Sequence, residues 1–209
     1  MWAFFTITLI IMLAAVSPGP DFFLVVKNSL LHDRKAGIFT AMGVASSLLI
    51  HASYCIVGLG ILITQSEIAF NIIKYLGAAY LIYIGIKSLL AKRTHVDYSK
   101  LKHTSVNVKS RQIFVEGLLC NLLNPKAILF ILAFFTLILK PGTPWPERIG
   151  YGLEISLIHL IWFSILAVII THKNVKSRLD AAQYYIIKVM GIVLIAFGSH
   201  IAFLKMASL

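Results

Sequence analysis

The sequence predicts an all-α integral membrane protein with six transmembrane helices, arranged as an inverted repeat of three helices plus three. Hydrophobic residues make up 59% of the 209 residues, about 123 in all, while charged residues make up only 13%. A helix that spans a bilayer needs about 20 apolar residues, so this composition supplies about six spans. The high apolar content excludes a disordered chain, and the presence of only two cysteines excludes a disulfide scaffold.

The apolar residues are gathered into six stretches, each at least 22 residues long and therefore long enough to cross a bilayer. They lack the two-residue alternation of a transmembrane β-strand, so we predict helices. The first stretch has no lysine or arginine before its apolar part, and we interpret it as a retained helix rather than a cleaved signal peptide. The six stretches are 2–26, 38–63, 68–91, 113–139, 150–171 and 184–205.

Basic residues predict how the chain is oriented in the membrane. Twelve of the 19 lysine and arginine residues lie in the loops 27–37, 92–112 and 172–183, on one side of a six-helix chain, and three lie on the other side. Cytoplasmic loops carry the excess of positive charge. We therefore expect these three loops in the cytoplasm, both termini outside, and a location in the cell (inner) membrane.

This orientation also accounts for the formal net charge of +11. In a soluble protein such an excess indicates nucleic-acid binding, but here most of the positive residues orient the chain. We therefore expect membrane lipid as a partner and no nucleic acid. Lys74, Lys87 and Lys188 lie near the ends of their stretches and can reach the interface, whereas Lys126 lies near the middle of the fourth stretch.

The chain is interpreted as a single membrane domain with two repeats, about 1–91 and 113–209, separated by the basic loop 92–112. Two repeats of three helices sit in the membrane with opposite topology, as in many transporters. Three weak correspondences in the same order support the repeat, at offsets of 105, 108 and 114 residues, although chance similarity among apolar helices is the alternative. They are Gly19-Pro20-Asp21 with Asn124-Pro125-Lys126, Leu49-Ile50-His51 with Leu157-Ile158-His159, and Lys74-x-x-Gly77 with Lys188-x-x-Gly191.

Proline motifs interrupt the first and fourth stretches, in the segments 17–21 (SPGPD) and 121–126 (NLLNPK). Pro18, Pro20 and Pro125 lack backbone N–H groups, so carbonyl groups four residues earlier lose their helical partners. In a bilayer, such carbonyls are tolerated only where protein or a water-filled cavity meets them. We therefore predict that the first and fourth helices are broken into half-helices.

The two breaks predict a binding site for a zwitterion. In an inverted repeat the second half-helices direct their partly positive N-terminal ends toward the membrane centre, where they favour a carboxylate. Asp21 and Lys126 have opposite charges at matched positions and suit the ammonium and carboxylate groups of such a ligand. Insertion of an ionisable residue costs about 2.5–3.5 kcal/mol, which favours a functional role; a structural pair of Asp21 with Lys126 is the alternative. The predicted binding residues are Ser17, Gly19, Asp21, Asn121, Asn124 and Lys126.

Four residues in the spans are candidates for proton coupling, namely Asp21, His51, Glu154 and His159. For the two histidines, a structural hydrogen bond is the alternative interpretation. The chain lacks a phosphate-binding GxxxxGK[ST] loop, a CxxC or HExxH motif and a nucleophile elbow. We therefore expect neither an enzyme nor a cofactor, a resident metal or a catalytic residue.

Three segments resemble the signatures of one family, namely LAAVSPGPDFFLVVKNSLLHDRKAGIFTAMGV (13–44), KYLGAAYLIYIGIKSLLA (74–91) and FVEGLLCNLLNPKAILFILAFF (114–135). The chain resembles the LysE/RhtB amino-acid exporter family, and its SPGPDFF form is most similar to the threonine/homoserine branch. The resemblance implies efflux of amino acids or their derivatives from the cytoplasm, driven by the proton gradient. Ser47 departs from the family pattern, which often has a second glycine there after Gly43.

Our hypothesis from the sequence is a secondary exporter of a small neutral amino acid such as threonine or homoserine. A metal or ion exporter or channel is an alternative. Such a protein is expected to have metal-ligating side chains in a cluster, whereas the candidate ligands here are scattered along the chain. A membrane thiol–disulfide electron carrier is a further alternative, which would need paired cysteines beside the prolines; Cys55 and Cys120 are not so placed. A homo-oligomer is compatible with the sequence.

Overall fold

The computed structural model describes residues 2–17, 19–91, 109–139, 142–171 and 176–203. All regular secondary structure in these ranges is α-helical, which confirms the predicted all-α class. The helices are α1 (Trp2–Val16), α2 (Pro20–Leu31), α3 (Arg34–Gln65), α4 (Glu67–Leu90), α5 (Ser110–Leu122), α6 (Pro125–Ile138), α7 (Trp145–Ile170) and α8 (Lys176–Phe203).

Length and hydropathy support three to five membrane spans in the part of the chain that is described. Arg34–Leu59, Asn71–Leu90 and Trp145–Ile170 are each long and apolar enough to cross a bilayer alone. The pairs α1 with α2 and α5 with α6 qualify when each pair is counted as one span, bent by 54° and 60° respectively. The sixth predicted stretch, 184–205, overlaps α8, in which 187–200 is a shorter apolar segment. Residues 204 and 205 lie outside the described residues.

The helices α4 and α8 pack closely because glycines lie where they cross. A Cβ atom at Gly85 would lie 2.7 Å from the carbonyl oxygen of Gly191, and one at Gly198 would lie 2.7 Å from the carbonyl oxygen of Ala78. Residue numbers rise along α8 as they fall along α4, so the two helices are antiparallel. Lys188 of α8 donates hydrogen bonds to the last carbonyl groups of α4, at Leu89 and Ala91, which satisfies groups that the helix itself leaves unpaired.

A polar cluster connects α2, α3 and α5. Lys27 forms an ion pair with Glu116 at 3.1 Å. The buried Asn28 amide donates to Glu116 Oε2 at 3.2 Å and to Thr40 Oγ1 at 3.0 Å. These contacts join α2 to both α5 and α3. The central apolar core includes buried side chains from α1, α2, α3, α6 and α7 that surround the breaks, among them Ile11, Phe22, Leu48, Phe134 and Ile155.

Candidate functional site

The first break separates α1, which ends at Val16, from α2, which begins at Pro20. Gly19 is the N-cap of α2 in an extended conformation, and Pro20 occupies the first helical position, where a missing N–H group costs nothing. Asp21 therefore lies in the first turn of α2, beside the partly positive end of the helix. Pro18, the other proline of this motif, lies outside the described residues.

The second break lies at the junction of α5 and α6, and its second half-helix also begins with an N-cap residue followed by proline. The helix α5 ends at Leu122, and α6 begins at Pro125 with Asn124 as its N-cap. The Asn124 side-chain oxygen accepts a hydrogen bond from the backbone N–H of Lys126 at 3.0 Å, as expected of an asparagine cap. Lys126 therefore occupies the first turn of α6, as Asp21 does in α2.

His51 on α3 supports the second break from the side. Its Nε2 lies 3.2 Å from the carbonyl oxygen of Asn121 and its Nδ1 lies 2.5 Å from the hydroxyl group of Tyr54. A carbonyl group only accepts hydrogen bonds, so Nε2 donates to Asn121, and in the neutral ring Nδ1 accepts from Tyr54. The Asn121 carbonyl is the one that Pro125 leaves without its usual helical donor, and the backbone N–H of Asn124 also donates to it at 3.0 Å. Both ring nitrogens are thus bonded.

We expect His51→Leu to lower the stability of the fold by about 1 kcal/mol, the net contribution of one hydrogen bond, because the Asn121 carbonyl loses one donor. Thermal unfolding of the purified protein in detergent, followed by intrinsic fluorescence, measures the loss. His200→Leu is the matched control, since His200 is exposed near the end of α8. Equal unfolding temperatures for the two variants would contradict the supporting role of His51.

Asp21, at the first break, accepts hydrogen bonds from two side chains of the second break. Its Oδ2 accepts hydrogen bonds from the side-chain amides of Asn121 at 3.0 Å and Asn124 at 3.1 Å. Its Oδ1 is buried and has no hydrogen-bond partner among the described residues. One oxygen of the carboxylate therefore holds the two breaks together, and the other is available to a ligand.

Lys126, at the second break, is hydrogen-bonded to a side chain of the first break. Its ammonium group donates a hydrogen bond to Ser17 Oγ at 2.8 Å. A Cβ atom at Gly19 would lie 3.4 Å from Lys126 Nζ, an ordinary contact distance, so the ammonium group lies directly beside the first break. The charged residue of each break is therefore bound to polar groups of the other.

A cavity lies where the two breaks meet. It has about 50 Å³ of space for the centres of water molecules, and about 10–15 Å³ of such space holds one water. In this conformation the cavity therefore has room for only a few water molecules, and an amino acid with its side chain needs more room. All six predicted binding residues line this cavity, namely Ser17, Gly19, Asp21, Asn121, Asn124 and Lys126.

The four candidates for proton coupling occupy different positions. Asp21 and His159 line the cavity, whereas His51 lies beside the second break. Glu154 lies away from the cavity wall, where its Oε1 accepts a hydrogen bond from Thr8 Oγ1 at 2.6 Å and so links α7 to α1. The structure therefore brings two of the four together with the predicted binding residues.

Much of the remaining cavity wall is apolar, and its residues are not among those that the sequence predicts for the site. Apolar residues fill every span, so composition does not distinguish those that face a cavity from those that face lipid or core. For one of them, Tyr80, a signal was present, because it lies in the segment 74–91 that resembles a family signature. The missed residues include Tyr80, Leu81, Phe130, Phe163 and Leu194.

Two observations concern the metal and thiol alternatives in the ranges that the structure describes. No group of three or more His, Cys, Asp and Glu residues there has an arrangement that suits a metal ion. Cys55 and Cys120 are both free thiols.

Broken apolar helices whose charged residues meet at an internal cavity define a class of membrane transport proteins. The chain matches the family of LysE type translocators over residues 12–205, and it belongs to that family. The membership confirms the resemblance seen in the sequence motifs and a location in a membrane.

Individual relatives cover almost the whole chain. It is 33% identical to the uncharacterized membrane protein YrhP of Bacillus subtilis (strain 168) over 190 residues, which are 88% of this chain and 90% of the relative. It is 27% identical to the threonine efflux protein of Salmonella typhimurium (strain LT2) over 201 residues, 96% of this chain and 98% of the relative. The threonine efflux protein of Escherichia coli (strain K12) is 26% identical over 198 residues, 95% of this chain and 96% of the relative. No solved structure matches the chain significantly.

Proposed function

We propose that the protein is a secondary active exporter of small neutral amino acids, of the threonine or homoserine type, coupled to the proton gradient. The observation that carries this proposal is the position of Asp21 and Lys126, which have opposite charges and line one cavity at the two helix breaks. Membership in the translocator family and the similarity to threonine efflux proteins support it.

The cavity suits the two charged ends of an amino acid. Asp21 Oδ1, which has no hydrogen-bond partner in the described chain, accepts a hydrogen bond from the substrate ammonium group. Lys126 binds the carboxylate, with help from the N-terminal ends of α2 and α6, whose partial positive charges favour an anion. Hydrogen bonds to charged groups are stronger than those between neutral groups, so both ends of the zwitterion contribute to affinity.

Export is coupled to the proton gradient because the substrate and a proton compete for the carboxylate of Asp21. Asp21 binds either the substrate ammonium group or a proton, so a protonated Asp21 releases the substrate and a deprotonated one accepts it. Export of one amino acid is then linked to entry of a proton. His159 lies on the same wall and, with His51 and Glu154, is a candidate to relay that proton.

Transport requires the cavity to open on alternate sides. We propose six spans in a 3+3 inverted repeat, with helices 1 and 4 broken at the proline motifs, so that rocking of one repeat against the other exposes the site in turn. The small size of the cavity in this conformation agrees with a site that must widen to admit its substrate. The basic loops face the cytoplasm and both termini face outward in the cell (inner) membrane, as the charge distribution indicates.

Reconstituted vesicles test this function directly. Vesicles that contain the purified protein and labelled threonine should release the label faster than protein-free vesicles, and faster still when the external medium is more acidic than the lumen. A protonophore should remove the acceleration. Release at the protein-free rate for threonine, homoserine and other neutral amino acids would refute the export function, and release unaffected by the protonophore would refute the coupling.

A further inference from the structure

His159 is bonded to the fold through one ring nitrogen, and its side chain lines the cavity. Its Nδ1 lies 2.8 Å from the carbonyl oxygen of Ile155. Because a carbonyl group only accepts, Nδ1 carries the hydrogen, and Nε2 of the neutral ring is an acceptor. The side chain is only 8% exposed and lines the cavity, and the structure records no hydrogen bond to Nε2 from the described residues.

The environment of this acceptor is apolar. The ring of Phe163 lies with its centroid 6.0 Å from that of His159, and Leu81, Phe130 and Leu194 belong to the same cavity wall. An acceptor that a bound ligand covers without supplying a donor is unfavourable. A wall of this composition therefore suits a ligand group that is apolar over most of its surface and has one hydrogen-bond donor.

The matched histidine of the other repeat shows that the open nitrogen is specific to this position. His51 corresponds to His159 in the sequence alignment of the repeats, yet both of its ring nitrogens are bonded, to Tyr54 and to the Asn121 carbonyl. His51 also lies outside the residues that line the cavity. The two histidines therefore differ in what they offer a ligand.

We propose that His159 Nε2 accepts a hydrogen bond from a hydroxyl group on the substrate side chain, and that this contact selects hydroxyl amino acids over aliphatic ones of equal size. This inference rests on the proposed function. Asp21, Lys126 and His159 line the same cavity, so a substrate whose charged ends are bound by Asp21 and Lys126 has its side chain within reach of the same lining. The methyl group of threonine then packs against the apolar residues.

Selectivity of this kind has a clear physical basis. A site that hydrogen-bonds a hydroxyl group rejects the analogue without it, because a buried polar group is then left unpaired, whereas an apolar pocket discriminates weakly between such isosteres. Valine is the appropriate comparison, because it replaces the threonine hydroxyl group by a methyl group of similar size.

The experiment measures release of labelled threonine and labelled valine from reconstituted vesicles at equal loading. The wild-type protein should favour threonine, and His159→Leu should lower the threonine-to-valine ratio about tenfold or more; a change in proton relay affects both amino acids alike and leaves this ratio unchanged. His159→Gln retains a side-chain acceptor and should keep part of the preference, and it serves as the test variant if His159→Leu does not fold. His200→Leu, at an exposed position of α8, should leave the ratio unchanged.

The outcomes separate this inference from the proposed function. Wild-type release of both amino acids without a preference would overturn the role of His159 and leave amino-acid export intact. Equal loss of threonine and valine release in a folded His159 variant would also overturn it, since His159 would then support transport generally. If the wild-type protein releases no amino acid, the proposed function itself fails.

Discussion

Lys126→Gln and Asp21→Asn should each reduce threonine release to near the rate of protein-free vesicles, although both variants fold. Each substitution removes the charge that binds one end of the zwitterion but keeps a polar side chain, which has the same shape in Asp21→Asn and is shorter in Lys126→Gln. A hydrogen bond to a charged group contributes about 1.5–3 kcal/mol, so we expect at least a tenfold loss of transport. Initial rates of labelled threonine release from reconstituted vesicles measure it.

The control for this prediction is Lys87→Gln. Lys87 is an exposed lysine on α4 with its ammonium group 6.0 Å from the ring centre of Tyr83, and it should be replaceable without loss of transport. Thermal unfolding distinguishes a binding role from the structural alternative, in which Asp21 and Lys126 only stabilise the helix breaks. Loss of transport with an unchanged unfolding temperature supports binding. Normal transport in both folded variants, or unfolding of both, would remove the proposed site.

The positions of the helix breaks were predictable because they depend on local chemistry. Proline lacks an N–H group wherever it lies, and in the structure α1 ends just before segment 17–21, while α5 ends within segment 121–126. The matched order of the two motifs also predicted a binding site that contains Asp21 and Lys126. Both residues line one cavity, and their binding role stays a prediction. Their bonding partners were not predictable. Asp21 binds Asn121 and Asn124, because the exact rotation of each half-helix decides which side chains meet.

Properties that depend on helix rotation and tertiary packing were not accessible from the sequence. His51 and His159 each end a Leu-Ile-His sequence, yet they differ in the number of ring nitrogens for which a hydrogen bond is seen. Glu154 is an ionisable residue in an apolar helix, and only the structure shows Thr8 as its partner. Apolar wall residues such as Phe163 resemble lipid-facing ones in composition, so hydropathy alone does not identify them.

Gly43→Val should prevent correct folding, because α3 and α5 approach each other too closely at this glycine for any side chain. A Cβ atom at Gly43 would overlap the carbonyl oxygen of Phe114 and would lie 2.7 Å from the backbone nitrogen of Leu118. Overpacking by a side chain costs about 1–3 kcal/mol when neighbouring side chains adjust. Here the obstructing atoms are backbone atoms of a helix, so the helices themselves must separate, and we expect a cost of at least that size.

The same helix provides the matched control for this prediction. A Cβ atom at Gly58 meets nothing within 4 Å, so Gly58→Val makes the same chemical change in α3 without the steric conflict. Size-exclusion profiles and thermal unfolding in detergent should show aggregated or strongly destabilised Gly43→Val beside nearly normal Gly58→Val. The close approach also fixes α5, and with it the second break, so Gly43→Ala should lower threonine release even if it folds. Equal stability of the two valine variants would show that α3 and α5 do not pack through Gly43.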